Sequence, residues 1–425
     1  MRYRRGAWVA VVLVVCVGKV LGAEPPVEAP AAPVSPADRE TLSGDWWGLG
    51  ERLSETGVRI GLGATQAYQF NVNGGTATHR HAGRYAGSYD LELDVDLERV
   101  AGLKGGAVYA LAEGSWSDGL DASSVGSLFG VNGDAGGDRS IDVTELWYEQ
   151  ALADGRVRVR LGKIDLTGGF ECRGCSVAFD TNAYANDETL QFINGALVNN
   201  PSIPFPDNGI GVAAMVEVLP GWYVAGGVAD AQADARETGF STAFHGEDRT
   251  VSLYETGLAL EIPSEAGPMP GGYRAGIWYD PQPKDRFDGT GTRRDDVGLY
   301  LSLDQMLFRE AGEAETAQGL GFFARFGFAD EHVNAIRNFW SLGLQYQGPI
   351  PGRDADVVGL GMAQANLSRE AGFTSRRETV MEGYYQIQVT PWLAIAPHVQ
   401  YVATPGGDET AKDATVVGVR VQAAF

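Results

Sequence analysis

Acidic and aliphatic residues alternate without a break in Asp90-Leu-Glu-Leu-Asp-Val-Asp-Leu-Glu98. At two residues per repeat, a β-strand places Asp90, Glu92, Asp94, Asp96 and Glu98 on one face and Leu91, Leu93, Val95 and Leu97 on the other. A helix would scatter the same acids around its surface. From Val58 onward about sixteen such runs recur. They are Val58–Phe70, Tyr85–Glu98, Gly106–Ser115, Asp142–Leu152, Arg156–Ile164, Gly209–Leu219, Trp222–Ala231 and Thr250–Glu261 in the first half. Gly271–Tyr279, Val297–Phe308, Leu320–Phe328, Phe339–Gln347, Val357–Leu367, Thr379–Val389, Trp392–Tyr401 and Ala414–Phe425 complete the set. Most have the ~9–11 residues that a tilted membrane strand needs.

The links carry a second pattern. After even-numbered runs they are compact, as in Ala153–Gly155, Pro220-Gly221 and Thr390-Pro391. After odd-numbered runs they are mostly longer and rich in Gly, Asp and Asn, the longest being Asp165–Asn208. Short turns at one end and long loops at the other mark an outer-membrane barrel. The pattern predicts an all-β fold: a transmembrane antiparallel β-barrel of about 16 strands over residues 58–425, with short periplasmic turns and long extracellular loops. Closure is required, because an open edge in lipid would leave backbone groups unpaired. Aromatic residues near strand ends (Tyr68, Trp222, Trp278, Tyr346, Trp392, Tyr401) suit interfacial girdles. The last strand, with Val417, Val419, Val421, Ala423 and Phe425 on one side, ends in the aromatic residue typical of an assembly signal.

Composition narrows the classes. A net charge of −22 argues against a nucleic-acid partner, which needs clustered Lys and Arg. Mean hydropathy is −0.14 and no apolar run past the first 25 residues approaches the ~20 residues of a membrane helix. Residues 1–22 read as an export signal: Arg2, Arg4 and Arg5 precede the apolar run Ala7–Val17, with Val20-Leu-Gly22 as the cleavage site. Residues 23–41 form a Pro/Ala-rich linker, and 42–57 a short helix on which Asp45 can cap a face of Trp46, Leu49 and Leu53. Only Cys172 and Cys175 remain after the signal. Their CxxC spacing in the longest loop is read as a stiffening disulfide, with free thiols as the alternative.

These stretches together resemble the carbohydrate-selective porin family of the OprB type. The resemblance begins at Leu42-Ser-Gly-Asp-Trp-Trp-Gly-Leu-Gly-Glu-Arg-Leu53. It continues through Asp94-Val-Asp-Leu-Glu-Arg-Val-Ala-Gly102, Glu145-Leu-Trp-Tyr-Glu-Gln150 and Arg160-Leu-Gly-Lys-Ile164. Asp304-Gln-Met-Leu-Phe-Arg-Glu310 and Tyr384-Tyr-Gln-Ile-Gln-Val-Thr-Pro-Trp392 extend it toward the C-terminus. The resemblance implies a sixteen-stranded outer-membrane barrel for passive uptake of mono- or oligosaccharides. A homotrimer is implied only by likeness to porins. Trp46-Trp47-Gly48 departs from the family, which more often has a small residue after the first Trp.

Passage of sugar needs no catalytic group, only a wet, narrowed lumen with donors, acceptors and aromatic faces that bind weakly. The hairpin through Ala153-Asp-Gly155 is the leading candidate. It sets Glu145, Trp147 and Glu149 against Arg156, Arg158 and Arg160, beside Glu92, Asp94 and Asp96. Arg325, Glu382, Tyr384, His398 and Gln400 are inward candidates from the opposite wall. The loop Asp165–Asn208, with Phe170, Phe179, Tyr184 and Phe192, is expected to fold into the mouth and constrict it. The chain holds no P-loop, HExxH or GxSxG motif, so it is read as a channel rather than an enzyme, with no cofactor and no metal. Competing readings are a general cation-preferring diffusion pore, a cell-wall-anchoring barrel and a secreted sugar-binding β-protein.

Overall fold

The computed structural model describes residues 35–77, 83–167, 179–204, 208–234, 236–243, 249–310 and 318–425. Sixteen strands close into one antiparallel barrel. They are β1 (Val58–Gly75), β2 (Gly83–Asp96), β3 (Gly106–Trp116), β4 (Arg139–Leu152), β5 (Val157–Ile164), β6 (Gly209–Leu219), β7 (Trp222–Asp230) and β8 (Thr250–Ile262). The ring continues with β9 (Met269–Asp280), β10 (Asp296–Arg309), β11 (Gly319–Phe328), β12 (Ile336–Gln347), β13 (Val357–Leu367), β14 (Arg377–Thr390), β15 (Leu393–Ala403) and β16 (Lys412–Ala424). Neighbours in sequence are neighbours in the wall, and β1 pairs β16 from Gly63↔Ala424 to Phe70↔Val417 to seal the ring. Every run anticipated from the alternation is a strand, and among the described residues no helix is long and apolar enough to cross a membrane.

Outward residues follow the two-residue period. Tyr68, Leu91, Leu301, Leu342, Leu360, Val399 and Val417 are exposed on the outer face. Their neighbours Ala67, Gln69, Ser302, Ser341, Gln400 and Val416 are buried inside. Two expectations need correction. Trp278 is not a girdle residue; it is fully buried and points inward, because it shares a face with Gly276 and Arg274 rather than with the exposed Ile277. The second strand stops at Asp96, and Leu97–Ala101 turns into a short helix. Asp96 accepts hydrogen bonds from the N–H groups of Glu98 and Arg99, a cap that outcompetes further pairing.

At the short-turn end lies α1 (Gly44–Glu55). Its N-cap is Ser43, whose hydroxyl accepts from the Trp46 N–H at 2.8 Å, rather than Asp45. Trp46 and Trp47 sit at φ 56° and 58°, a left-handed entrance to the helix that leaves Trp47 86% exposed. The end of the predicted linker is ordered. Pro36–Asp38 form a single 3-10 turn, and the Trp392 indole donates to Pro36 O at 2.8 Å.

The lumen is not an open tube. Residues 117–138 and 179–204, both from the long-loop end, fold inward and pack on the wall. Phe192 lies between Phe323 and Tyr384, with ring centroids 5.4 and 5.1 Å away. Phe179, Leu197 and Val125 are also buried inside the barrel. Gly321 and Gly327 on β11 make this approach feasible. A Cβ at Gly321 would stand 2.2 Å from the Tyr184 ring, and one at Gly327 would collide with Ser202 and Asn200.

Candidate functional site

The β4–β5 hairpin places opposite charges face to face, because Glu149 is registered against Arg160. Glu149 accepts from Arg158 at 3.0 Å through one oxygen and from Arg160 at 3.0 Å through the other. Trp147 lies beneath, with the Arg160 guanidinium 3.9 Å from its ring centroid and Tyr109 stacked at 5.0 Å. The Trp147 indole donates to Glu145 at 2.7 Å. This ladder leaves Arg160 almost wholly buried and Arg158 about one-third exposed, so Arg158 is the member that meets lumen water. Arg156 stands apart. It lies in the turn and donates to the carbonyls of Glu217 and Val218, bracing neighbouring strands at the rim.

The opposite wall performs a different task from the one expected. Arg325, Glu382, Tyr384, His398 and Gln400 do point inward, yet each is engaged by an inserted loop or a neighbouring strand. Glu382 accepts from the N–H groups of Ile193 and Asn194, both at 2.9 Å. Gln400 accepts from the Asn194 side chain and donates to Val131 O. Tyr384 accepts from Gln345 and packs edge-on against Phe192. His398 meets Gln69 at 3.2 Å. Arg325 donates to Leu197 O at 3.1 Å and Asn186 Oδ1 at 2.9 Å, and its Nε lies 3.2 Å from Asp180. Arg325, Glu382, Tyr384 and Gln400 are clamps that seat residues 180–197 across the lumen, while His398 is held within the wall.

A third group went unnoticed in the sequence. Glu255 accepts from Tyr223 at 2.7 Å, from Tyr300 at 3.0 Å and from the Asp180 N–H at 3.0 Å. Beside it Arg274 is ion-paired to Asp304 at 2.5 Å. A single polar residue on the inward face of an aliphatic strand, such as Asp304 in Leu303-Asp-Gln305, was the available signal.

Cavities lie on both sides of the inserted loop. The one toward the long loops is about 400 Å³ and lined by Asp165, Thr167, Asp180, Asn186, Asn199 and Asn200 among others. Toward the short turns are two of about 430 and 440 Å³, with Leu190 lining both. Glu92 and Asp94 line the first of these, with Asp94 paired to Arg59 at 3.2 Å. Asp96 is spent on its helix cap and an ion pair with Arg99 at the rim. Each volume lies within the range of small-molecule sites, about 300–1,000 Å³. Asn, Asp and Thr side chains in such walls offer donors and acceptors without a reactive nucleophile. Among the described residues no cluster suited to a metal ion is found. Cys172 and Cys175 lie outside the described residues.

Comparison with known proteins agrees with this geometry. The family model for the carbohydrate-selective porin, OprB family, matches residues 80–425. Porin B of Pseudomonas aeruginosa is 24% identical, over 93% of this chain and 94% of its own. The putative porin QuiX of Acinetobacter baylyi is 20% identical, over 91% of this chain and 94% of its own. Among solved structures, the high-pH structure of Pseudomonas putida OprB superimposes with a TM-score of 0.79 at 22% identity, covering 92% of this chain and 99% of that one. With its sixteen-stranded wall and this match over most of its length, the chain belongs to the carbohydrate-selective porin, OprB family, and is an outer-membrane porin for sugars.

Proposed function

We propose that sugars cross this barrel passively by way of polar chambers on either side of the strip formed by residues 180–197. Outside the strip, Asp165, Asn186, Asn199 and Asn200 replace part of a sugar's hydration shell. Inside it, the acidic wall of β2 and the Arg158–Glu149 ladder guide the sugar to the periplasm. Binding of this kind is shallow, as conduction requires. The outward aliphatic belt meets outer-membrane lipid. Residues 1–22 direct export and are removed, and 23–41 form a periplasmic arm whose end is held near Trp392.

The observation that carries this reading is the seating of the loop. Backbone N–H groups of residues 193 and 194 are captured by Glu382, and Asp180 and Asn186 by Arg325, with a cavity on each face of the strip. A passive filter needs such a fixed constriction, and an anchoring barrel does not. Liposome swelling with a series of mono- and oligosaccharides tests it. Monosaccharides should swell vesicles faster than oligosaccharides, and Arg325→Ala should flatten that size dependence. Size dependence unchanged in the variant would place the filter elsewhere.

A further inference from the structure

The periplasm-facing cavity lined by Glu92 and Asp94 has an unusual balance of charge. Asp90, Glu92, Glu113, Asp134, Asp187 and Glu188 line it, and its one basic lining residue, Arg59, is already paired to Asp94. Strand β2 and β3 supply three of these carboxylates, and the two inserted loops supply the rest. Two kinds of hydrogen-bonding need go unmet in this region. Glu188 Oε2 and Asp134 Oδ2 are buried without a hydrogen-bond partner. Next to them is Arg420, only 2% exposed, which donates Nη1 to Glu188 O at 2.6 Å while Nη2 has no acceptor. Arg420 shares the inward face of β16 with Gln422, which lines the cavity.

A buried donor and buried acceptors left unmet are destabilising unless something completes them. Completion asks for one molecule with two features: a cation for the carboxylates and a neutral oxygen acceptor for Arg420. Plain sugars supply only the second. Simple cations supply only the first. We propose that this cavity is a subsite for amine-bearing sugars, with the protonated amine on Glu188 and Asp134 and a ring hydroxyl oxygen on Arg420 Nη2. The inference rests on the reading that sugars cross this lumen, and it names the class the inner chamber favours. Burial and the neighbouring carboxylates push Glu188 up to about 8 and burial pushes Asp134 up to about 7, a strain that an ammonium group relieves.

The test is block of single-channel current in planar bilayers by glucosamine, glucose, N-acetylglucosamine and methylammonium, using the full mature porin. Glucosamine should half-block at a concentration at least about 5-fold below that of glucose, a difference on the order of 1 kcal/mol. N-acetylglucosamine should lose the advantage, and Glu188→Gln or Asp134→Asn should bring the glucosamine-to-glucose ratio toward one. Equal block by glucosamine and glucose overturns the inference while leaving the sugar path intact. Block by methylammonium as strong as by glucosamine overturns it in favour of a general cation site. Block by none of the sugars overturns both the inference and the path beneath it. Because the wild-type comparison decides alone, failure of either variant to fold does not shield the proposal.

Discussion

Arg325 on the barrel wall and Asp180 on the inserted loop approach to 3.2 Å with the arginine side chain fully buried. The Nε–H does not point along a hydrogen bond to that carboxylate, and the two Nη groups instead donate to Leu197 O, Asp180 O and Asn186 Oδ1. One guanidinium thus holds both ends of the strip. Removing one partner of a buried pair typically costs about 3–5 kcal/mol. Arg325→Ala should therefore loosen residues 180–197 while the strand ladder persists. Hydrogen–deuterium exchange should show faster exchange at Ile193 and Asn194, with β11 and β12 unchanged.

The glycines opposite the strip give an independent handle. Gly327→Val introduces a side chain where Ser202 and Asn200 already sit, and Gly321→Leu does the same against Tyr184. Each variant should keep its heat-modifiable barrel band and lose the seating of the loop. The readout is protease sensitivity of residues 180–204 in detergent-purified protein, expected to rise several-fold.

Within the β4–β5 ladder the two arginines should separate. Arg158 is about one-third exposed and Arg160 about 1%. Arg158→Ala should weaken sugar block by several-fold and change stability by less than about 1 kcal/mol. Arg160→Ala should lower the unfolding midpoint, since Glu149 would keep only its contact to Arg158. If the double variant shows unchanged sugar affinity in current-block titrations, this ladder is not part of the filter.

Acidification should reduce the preference for cations. The loop carboxylates Glu188, Asp134 and Asp180 are raised, chiefly by burial, to about 8, 7 and 7, with Arg325 partly opposing the effect on Asp180. Lowering pH from 8.5 to 6 protonates them and removes negative charge from the lumen. The folded channel binds these protons more readily than the unfolded chain, so stability rises as pH falls through this window. Reversal potentials in a KCl gradient should shift toward zero at pH 6, while exchange from residues 180–197 slows.

How much of this was readable in advance follows from where each signal is written. Strand identity is a local property: Leu91 and Asp90 declare opposite faces by adjacency, and all the predicted runs proved to be strands. The Glu149–Arg158–Arg160 ladder was legible because a tight hairpin fixes its register. The clamps were not. Arg325 and Asp180 are far apart in sequence and meet only because the loop turns inward, so Arg325 looked like a wall charge facing water. Glu255 was missed for the same reason, since its partners Tyr223, Tyr300 and Asp180 come from three separate segments. Trp278 was misread because an aromatic residue near a strand end suits either the lipid interface or the packed side of the lumen. Asp96 fits both a strand face and a helix cap, and the cap prevailed.

The most direct test of the account is single-channel conductance of the Arg325→Ala, Glu382→Ala double variant beside wild type. If residues 180–197 are the seated constriction, conductance should rise at least about two-fold and block by monosaccharides should fall away. Conductance and sugar block identical to wild type, in a variant that still folds, would contradict the claim that this loop sets the path.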